Sequence, residues 1–367
     1  MQLPYFVEPT TGEKFPIDMP IWRAPNNKPL MISELPGITR ADIDTSNRSI
    51  WRYAKSLPVS ISKPITMGEG CTPLVTKEID GLECSFKLEW FSPTGSFKDR
   101  GASVLISFLN QQGIRKVIED SSGNGGAAIA AYGAAAGMEV TILVPHYTQP
   151  AKIVQSKAYG AKVVLVPGKR EDTESAAIRM SKNVFYASHN WHPMFLQGTK
   201  TLGYEIWEDL GFTLPNNVVI PASAGSNLLG CYLAFKELMA SGETDRMPRL
   251  FVSQPQNCAP LYHACHGTAQ ERFLPTVAEG TAITKPIRLQ AMVNAIKETN
   301  GDVVTITENE IIHAAKRLAT SGIYAETTSA HVWAGVRKLI ENGQINASDR
   351  TVAILTGTGL KSPSVHE

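Results

Sequence analysis

Phe91-Ser-Pro-Thr-Gly-Ser-Phe-Lys-Asp-Arg100 is the stretch around which the rest of the chain is organised. It places Lys98 after a Pro-Thr-Gly turn, at the start of a helix-compatible run that begins at Gly101. The positive end of a helix macrodipole disfavours a charged amine, and the neutral amine is the form that attacks carbonyl groups. A lysine after a turn is usually a solvated surface group. Two glycine-rich loops further along the chain favour a reactive lysine instead.

The composition is that of an ordinary globular protein. The 367 residues carry a formal net charge of +1, and 43% of them are hydrophobic and 19% charged. This length allows two domains with sizeable cores. The near-neutral charge gives no electrostatic reason to expect a nucleic acid or an anionic membrane as a partner. No stretch is apolar enough in sequence to predict a membrane span.

The start of the chain and the cysteines favour a cytoplasmic location. The first residues lack the basic and apolar regions of a signal peptide. The five cysteines have no spacing typical of a disulfide framework. Cys258, His263, Cys265 and His266 lie close in sequence, but they lack Cys-x-x-Cys-type spacing. For them we predict a buried cysteine pair beside surface histidines rather than a metal site.

A first series of short β-branched runs alternates with helical stretches. Residues 117–120, 139–145 and 162–167 are typical of buried parallel strands. Residues 127–136 and 151–159 lie between them and are predicted to be helices. The alternation predicts successive βαβ units.

A second series follows in the C-terminal half. Residues 217–222, 249–253 and 351–356 are predicted strands, with helices such as 228–239 and 311–320. The fold class is therefore α/β, with two domains, each an open, mostly parallel twisted sheet flanked by helices. Two such units in one chain predict a cleft between them.

Each series contains a small-residue loop between a strand and a helix. The two loops are Ser121-Ser-Gly-Asn-Gly-Gly-Ala127 and Pro221-Ala-Ser-Ala-Gly-Ser-Asn227. Such turns are common in any α/β protein. A helix that begins at such a loop also presents backbone N–H groups that bind anions. Taken alone, either loop fits both interpretations.

Ser92-Pro-Thr-Gly-Ser-Phe-Lys-Asp-Arg-Gly101 closely resembles the cofactor-lysine motif of threonine synthases. These are fold-type II pyridoxal-phosphate (PLP) enzymes of the tryptophan synthase beta superfamily. Asp99 favours the synthases, because the related serine/threonine dehydratases tend to have another residue there. The resemblance runs from about residue 50 to the C-terminus. It implies a Schiff base between PLP and Lys98, a small amino acid as substrate, and a homodimer.

The resemblance also implies a domain organisation. Residues 46–104 and 196–367 would form a large PLP-binding domain, and residues 105–195 a small inserted α/β domain. Residues 1–45 resemble the zinc ribbon that opens many threonine synthases, without its thiols. The positions of the zinc ligands hold Val7, Thr10, Ala24 and Asn27. None of these side chains is a credible zinc ligand, so we predict no metal here.

Several site residues are implied by the resemblance. Asn124 matches the asparagine that bonds the 3′ oxygen of PLP, and Thr356 matches the hydroxyl partner of the pyridine nitrogen. Glu326 matches a glutamate near the substrate. The loop around Asn124 would hold the substrate carboxylate through Ser121, Ser122, Gly123 and Gly125. The second loop would cradle the PLP phosphate with Ala222, Ser223, Ala224, Gly225, Ser226 and Asn227.

His189-Asn-Trp-His-Pro-Met-Phe195 departs from the family pattern. It resembles a synthase segment whose asparagine, serine and arginine hold the leaving phosphate of O-phosphohomoserine. Those positions are His189, Asn190 and Phe195 in this chain. The change removes an arginine that binds phosphate in a bidentate manner. His189, His192 or the neighbouring Lys169-Arg170 are the candidates for restoring anion binding.

The predicted function is PLP-dependent elimination and replacement on an amino acid, with threonine synthase favoured. Asp99 and the residues before position 75 support the synthase. Gly125, Phe195 and Thr358, which replace the usual threonine, arginine and histidine, favour another reaction on the same scaffold. That reaction would be β-elimination, as in a serine/threonine dehydratase or ammonia-lyase, or β-replacement, as in cysteate synthase. A PLP-binding or amino-acid-sensing protein without turnover is the non-enzyme alternative.

Overall fold

The computed structural model describes residues 3–361 and divides into two compact units. The first unit contains residues 3–38, together with Asp42–Glu69 and Lys98–Thr199. The second contains Thr39–Ala41, Gly70–Phe97 and residues 200–361. The division into a ribbon-like segment, a large domain and an inserted domain stays a prediction, because compactness does not measure independent folding.

The strands are numbered in chain order. They are β1 (Tyr5–Val7), β2 (Lys14–Pro16), β3 (Met31–Ile32), β4 (Leu74–Ile79), β5 (Leu82–Leu88), β6 (Lys116–Glu119), β7 (Glu139–Pro145), β8 (Lys162–Val166), β9 (Phe185–Tyr186), β10 (Asn217–Pro221), β11 (Arg249–Pro255), β12 (Val303–Ile306) and β13 (Thr351–Leu355).

The α-helices follow the same convention, and short 3₁₀ turns complete the described chain. The helices are α1 (Lys98–Gln111), α2 (Asn124–Ala135), α3 (Pro150–Ala158), α4 (Arg170–Met180), α5 (Pro193–Asp209), α6 (Ser226–Ala240), α7 (Pro260–His266), α8 (Leu289–Glu298), α9 (Glu308–Thr320) and α10 (Thr327–Glu341). Within residues 3–361, no helix combines the length and apolar character needed to cross a membrane.

The first unit holds a four-stranded parallel sheet in the order β8-β7-β6-β9. The predicted strands at 117–120, 139–145 and 162–167 and the helices between them are confirmed. The predicted start of the first of these helices at residue 127 was late, because α2 already begins at Asn124. Glycines at positions 125 and 126 hid the helix, since glycine has low helix propensity. Gly126 lets the helix begin tightly, as a Cβ there would lie 1.9 Å from the carbonyl oxygen of Ser121.

The second unit holds a six-stranded sheet in the order β12-β11-β10-β13-β5-β4. β4 pairs antiparallel with β5, and the remaining pairs are parallel. The predicted strands at 217–222, 249–253 and 351–356 are confirmed, as are the two helices predicted beside them. The hairpin β4–β5 was not predicted. Its turn is Asp80-Gly81, with φ of 56° and 76°, the backbone that a two-residue hairpin loop requires.

The N-terminal segment forms a small antiparallel sheet in the order β2-β1-β3. Beyond β1, the inaccessible carboxylate of Glu8 accepts hydrogen bonds from the Thr10 N–H (2.8 Å) and the Thr11 N–H (2.9 Å). It also accepts from the Thr11 hydroxyl (2.7 Å) and from Nδ2 of Asn26 (3.2 Å). These donors, the Thr10 N–H foremost, lower the pKa of Glu8 to about 2. A carboxylate thus joins the two turns in which the ribbon's thiols would stand.

Candidate active site

Lys98 is the first residue of α1, which therefore begins three residues before the predicted start at Gly101. The turn before it uses Gly95 with φ of 80°, a conformation that favours glycine. Behind Lys98, the side chains of Asp99 and Arg100 are fully buried, whereas Lys98 itself is only partly buried. Its Nζ lies 5.6 Å from the centre of the Phe195 ring, within the range of a cation–π contact. The local fold therefore buries the two residues after Lys98 and leaves Lys98 itself partly exposed.

The loop between β6 and α2 presents a helix N-terminus. Gly123 is the N-cap residue of α2. Because glycine has no side chain, no side-chain hydrogen bond caps this helix. A helix that begins without a side-chain cap offers its first N–H groups to an anion such as a carboxylate. Asn124 and the partly buried Ser122 flank Gly123. The local geometry fits the substrate-carboxylate role, which stays a prediction for these residues.

The loop between β10 and α6 has the features of a phosphate cradle. Gly225 has φ of 83°, and a Cβ there would lie 2.0 Å from Sδ of Met292, so only glycine fits. The buried Asn227 side chain has both its Nδ2 and its Oδ1 without a hydrogen-bond partner among residues 3–361. Buried polar atoms are normally satisfied, and these two can be satisfied by a bound group. The loop therefore fits the phosphate of PLP.

Thr356 and Glu326 come together in the second unit. The Thr356 hydroxyl lies 3.4 Å from Oε1 of Glu326, and both residues are buried. Gly357 allows this approach, since a Cβ there would lie 2.3 Å from the same Glu326 oxygen. The backbone N–H of Glu326 donates to the carbonyl oxygen of Gly357 (3.0 Å). The hydroxyl predicted to face the cofactor and the glutamate predicted near the substrate are thus neighbours.

Ser96 is a residue that the sequence analysis missed. It forms an isolated antiparallel bridge with Gly357, in the second unit. Its hydroxyl is fully buried and has no hydrogen-bond partner in the described part of the chain. A buried hydroxyl without a partner, two residues before the predicted cofactor lysine, is a further atom that a bound cofactor can satisfy. A serine within the Pro-Thr-Gly-Ser turn was the available signal.

His189 is held by a glutamate that the sequence analysis also missed. Glu119 ends β6, and the segment after β9 runs beside it because the two strands are parallel neighbours. The backbone N–H of His189 donates to Oε2 of Glu119 (3.0 Å), and its Nδ1 lies 2.7 Å from Oε1. Both side chains are buried. The two contacts fix the imidazole in one orientation.

Two glycines make room for the rings of His189 and Phe195. A Cβ at Gly125 would lie 2.7 Å from Cε1 of His189, so the imidazole covers the first turn of α2. A Cβ at Gly101 would lie 2.4 Å from the Phe195 ring. The two rings meet edge to face, with centroids 5.8 Å apart. Gly125, His189 and Phe195 therefore depart from the synthase pattern as one packed unit rather than as three separate changes.

Burial shifts the proton equilibria of this cluster. Burial raises the pKa of Glu119 to about 8, although the His189 N–H and the Lys98 cation act in the opposite direction. Burial, and then the Lys98 cation, lower the pKa of His189 well below its ordinary value. The pKa of Asp120 rises to about 6 through burial and the neighbouring Glu119. Near neutral pH, Glu119 is therefore a protonated carboxylic acid and His189 is a neutral imidazole.

Among the other candidates for anion binding, Arg170 is close enough to Glu119 and His189 for its charge to lower the pKa of both, whereas His192 and the neighbouring Asn190 are not cations. His192 is buried among aromatic rings, 6.0 Å from Phe6 and 5.8 Å from Phe108 between centroids, so it is a core residue. Asn190 is partly buried, and its N–H donates to the Ser188 hydroxyl (3.3 Å). Neither arrangement supplies a positive charge.

Cys258 and Cys265 do not form the predicted buried cysteine pair. Cys258 is buried, but Cys265 is only partly buried, so that prediction was wrong for Cys265. His266 lies 3.1 Å from Asp302, and Nδ1 of His263 lies 2.8 Å from the Thr268 hydroxyl. Within residues 3–361, no group of three or more histidine, cysteine or acidic side chains is arranged to hold a metal.

Comparison with known proteins defines the class first. A family model described as pyridoxal-phosphate dependent enzyme matches residues 65–357, a span that includes Lys98 and both loops. The fold agrees. A crystal structure of O-ureido-L-serine synthase has a TM-score of 0.69 at 24% identity, over 82% of this chain and 93% of that one. The processed threonine deaminase isoform 2 from Solanum lycopersicum has a TM-score of 0.69 at 24% identity, over 80% and 81%.

Proteins of similar sequence indicate a more specific group within this enzyme family. A threonine synthase from Methanosarcina acetivorans is 35% identical over 88% of this chain and 82% of its own length. One from Methanocaldococcus jannaschii is 34% identical over 86% and 81%. The chain belongs to the pyridoxal-phosphate-dependent enzyme family, among the relatives of threonine synthase. It is therefore a PLP-dependent lyase, and the predicted cofactor and fold class are confirmed.

Proposed function

We propose that this enzyme converts O-phospho-L-homoserine and water into L-threonine and phosphate. The observation that carries the proposal is the similarity to threonine synthases along most of the chain, which includes the Lys98 motif with its synthase-type Asp99. The position of the partly buried Lys98 at the start of α1, in front of the buried Asp99 and Arg100, supports a reactive role for this residue.

Lys98 is the proton carrier in this proposal. When bound, PLP supplies an electron sink that stabilises negative charge at the substrate Cα. The Lys98 amine then removes the α-proton and moves protons between substrate carbons. The N-terminus of α2 holds the substrate carboxylate through the Ser121–Gly125 loop, and the loop before α6 holds the cofactor phosphate. The Phe195 ring face lies within reach of the Lys98 ammonium when it carries the proton.

A product assay tests the proposal. Purified protein with PLP is given O-phospho-L-homoserine, and both threonine and phosphate are quantified, with Lys98→Ala as the control. We expect equal amounts of the two products from the wild type. Lys98→Ala is expected to lose the visible absorbance of the bound cofactor and nearly all turnover. The synthase assignment would be wrong if the wild type shows a visible absorbance that Lys98→Ala lacks but forms no threonine.

A second candidate function rests on the Phe195 position. A buried phenylalanine stands where a synthase arginine would hold phosphate, and this favours β-elimination or β-replacement on an amino acid without a phosphate. Serine, threonine and other β-substituted amino acids would then give 2-oxoacids or replacement products. A screen of these amino acids for ammonia and 2-oxoacid release separates the two candidates.

A homodimer and a cytoplasmic location remain part of the proposal. Both are supported by the resemblance to the family and, for the location, by the cysteine pattern. Light scattering during size-exclusion chromatography at several concentrations measures the oligomeric state. A mass of one chain, about 39.9 kDa, would contradict the dimer.

A further inference from the structure

The Nε2 atom of His189 is the free end of the Glu119–His189 pair. Glu119 occupies Nδ1, and Nε2 makes no hydrogen bond to any residue in 3–361. The Nε2 atom of His331 also lacks a hydrogen-bond partner among the described residues, but it is sealed inside the protein, whereas that of His189 is not. Histidine has two ring nitrogens, and a partner on one decides which proton the other carries. A ligand can therefore meet His189 only through Nε2.

The imidazole of His189 and the amine of Lys98 share Phe195 as a neighbour, and the Lys98 cation lowers the pKa of His189. The His189 ring rests against the backbone of Gly125 and against the edge of Phe195. The Nζ of Lys98 lies 5.6 Å from the centre of the same Phe195 ring. The amine and the imidazole thus contact one aromatic side chain within one compact unit. Groups from both side chains can act on the same small substrate.

The charge of the pair distinguishes it from an arginine. Together, a glutamate and a histidine carry a net charge of zero or minus one, so they cannot supply the fixed positive charge of a guanidinium. The charged groups that act on them are Lys98, Arg170 and Asp120. What the pair can supply is a proton, because Glu119 stays protonated until its pKa of about 8 is reached. In that form Oε1 donates to Nδ1, and Nε2 carries a hydrogen.

We propose that His189 donates its Nε2 proton to the oxygen that leaves the substrate side chain, and that Glu119 is the positioning residue that resupplies it. The inference rests on the proposed function, and the leaving group is then the phosphate of O-phosphohomoserine. Its Cγ–O bond breaks, the bonding pair stays on oxygen, and the Nε2 proton makes it hydrogenphosphate. The Glu119 proton moves to Nδ1. Lys98 takes the Cβ proton, and that carbon–hydrogen electron pair forms the Cβ=Cγ bond.

Proton donation explains why the arginine is dispensable. A guanidinium stabilises a leaving phosphate by charge, whereas a general acid stabilises it by neutralising the oxygen from which carbon departs. A general acid is effective when its pKa is near the operating pH. The Glu119 carboxylic acid, with a pKa of about 8, meets that condition, and the His189 imidazole passes its proton to the substrate. Gly125 belongs to the same arrangement, because a side chain there would displace the imidazole.

Two substrates separate leaving-group protonation from the rest of the reaction. O-phospho-L-homoserine needs the step, while L-vinylglycine already has the Cβ=Cγ bond and no leaving group. We expect His189→Gln to lower kcat on O-phosphohomoserine by about 10²-fold and to affect vinylglycine far less. His146→Gln, an exposed histidine at the end of β7, is the matched control and should equal the wild type on both. Equal losses of His189→Gln on both substrates would overturn the inference.

Glu119→Gln tests the positioning role through the pH profile. With O-phosphohomoserine, the wild type should lose kcat as the pH rises through about 8, where Glu119 gives up its proton. Glutamine still donates to Nδ1 but has no proton to lose, so this descent should vanish and kcat should fall by about 10-fold or more. A variant that keeps the descent, or that raises KM without changing kcat, would show a structural or binding role only.

The proton positions can be read without turnover. In wild-type protein labelled with ¹⁵N-histidine, Nε2 of His189 should be protonated at pH 6.5 and bare above pH 9, assigned by loss of the signal in His189→Gln. A bare Nε2 at pH 6.5 would contradict the inference even if threonine is formed. Failure of the wild type to release phosphate from O-phosphohomoserine would instead remove the proposed function, and the inference with it.

Discussion

Two shielded glutamates, Glu8 and Glu119, show opposite behaviour within one unit of the molecule. Glu8 lies beneath two turns next to the small sheet and accepts hydrogen bonds from several donors, which lower its pKa to about 2. Glu119 lies in the interior at the end of β6, where the backbone N–H groups of His189 and Asp120 and one imidazole face it, and its pKa rises to about 8. Shielding from water is common to both, so the depth and the number of donors decide the difference.

The comparison separates two uses of a carboxyl group. An ionised carboxylate that satisfies several donors holds turns together, and Glu8 does so where a ribbon of this kind would have metal ligands. A carboxylic acid that keeps its proton can pass it on, and Glu119 has a histidine in contact to receive it. The first use predicts an effect on stability alone. The second predicts an effect on the reaction.

Phe195→Ala should have the largest effect on stability, because it removes the ring that packs against His189, the partner of Glu119. The ring is fully buried between His189 and Gly101, so its removal leaves a cavity and costs about 3–5 kcal/mol in the free energy of unfolding. Urea unfolding followed by circular dichroism measures this loss. Phe195→Leu, which fills more of the space, should recover part of it. Equal stability of Phe195→Ala and the wild type would contradict the packing described here.

Gly125→Ala should lower activity much more than stability. The new methyl group would lie 2.7 Å from the His189 ring and would displace it from Glu119. The helix propensity of alanine within α2 offsets part of the cost of losing this buried contact. We expect kcat on O-phosphohomoserine to fall by about 10²-fold while the melting temperature falls by only a few degrees. The double variant Gly125→Ala/His189→Gln should be no slower than either single variant, since both remove the same proton donor. Additive losses would argue against a shared cause.

Six of the parallel strands were predictable from the sequence, whereas the strand order, β9, β12, the N-terminal sheet and the β4–β5 hairpin were not. Buried parallel strands such as β7 and β10 are uninterrupted β-branched runs, which are conspicuous in a sequence. The hairpin alternates polar and apolar residues weakly, although its Asp80-Gly81 turn was a usable signal. Strands of two or three residues, such as β3, are too short for any periodicity to show.

The site was predictable where one local stretch carries it. Lys98 and the two loops each combine a turn with a helix start, so their positions follow from neighbouring residues. The Glu119–His189 contact joins residues 70 positions apart, and it depends on β6 and β9 being neighbours in the sheet. Glu119 also follows two apolar strand residues, which made it part of a strand rather than of a site. Contacts of this kind require the topology.

Glu8→Gln should have a smaller effect, confined to stability. One amide nitrogen would face backbone N–H donors that now meet a carboxylate oxygen, leaving them without an acceptor. We expect the melting temperature to fall by a few degrees and kcat to match the wild type. Glu13→Gln, an exposed glutamate in the same hairpin, is the control and should change neither quantity. A loss of kcat in Glu8→Gln at unchanged stability would break the distinction between the two glutamates.

The smallest expected effect is the pH dependence of the difference in melting temperature between the wild type and Glu8→Gln. A carboxyl whose pKa is lowered on folding stabilises the folded state above its unfolded pKa, near 4.5, and this contribution disappears as the pH falls towards about 2. The melting temperatures of the wild type and Glu8→Gln should therefore differ most above pH 5 and converge towards pH 2. Thermal melts across this range measure the convergence. A constant difference would mean that the charge of Glu8 contributes nothing.

A ¹³C titration of the glutamate carboxyl groups compares the pKa values of Glu8 and Glu119 in a single experiment. The wild type labelled at glutamate Cδ is titrated from pH 2 to pH 10, and Glu8→Gln and Glu119→Gln identify the two signals. The Glu119 carboxyl should titrate near pH 8, while the Glu8 carboxyl should stay ionised down to about pH 2. Titration of Glu119 near its ordinary value of 4.5 would leave His189 without a proton donor and would contradict the role proposed for the pair.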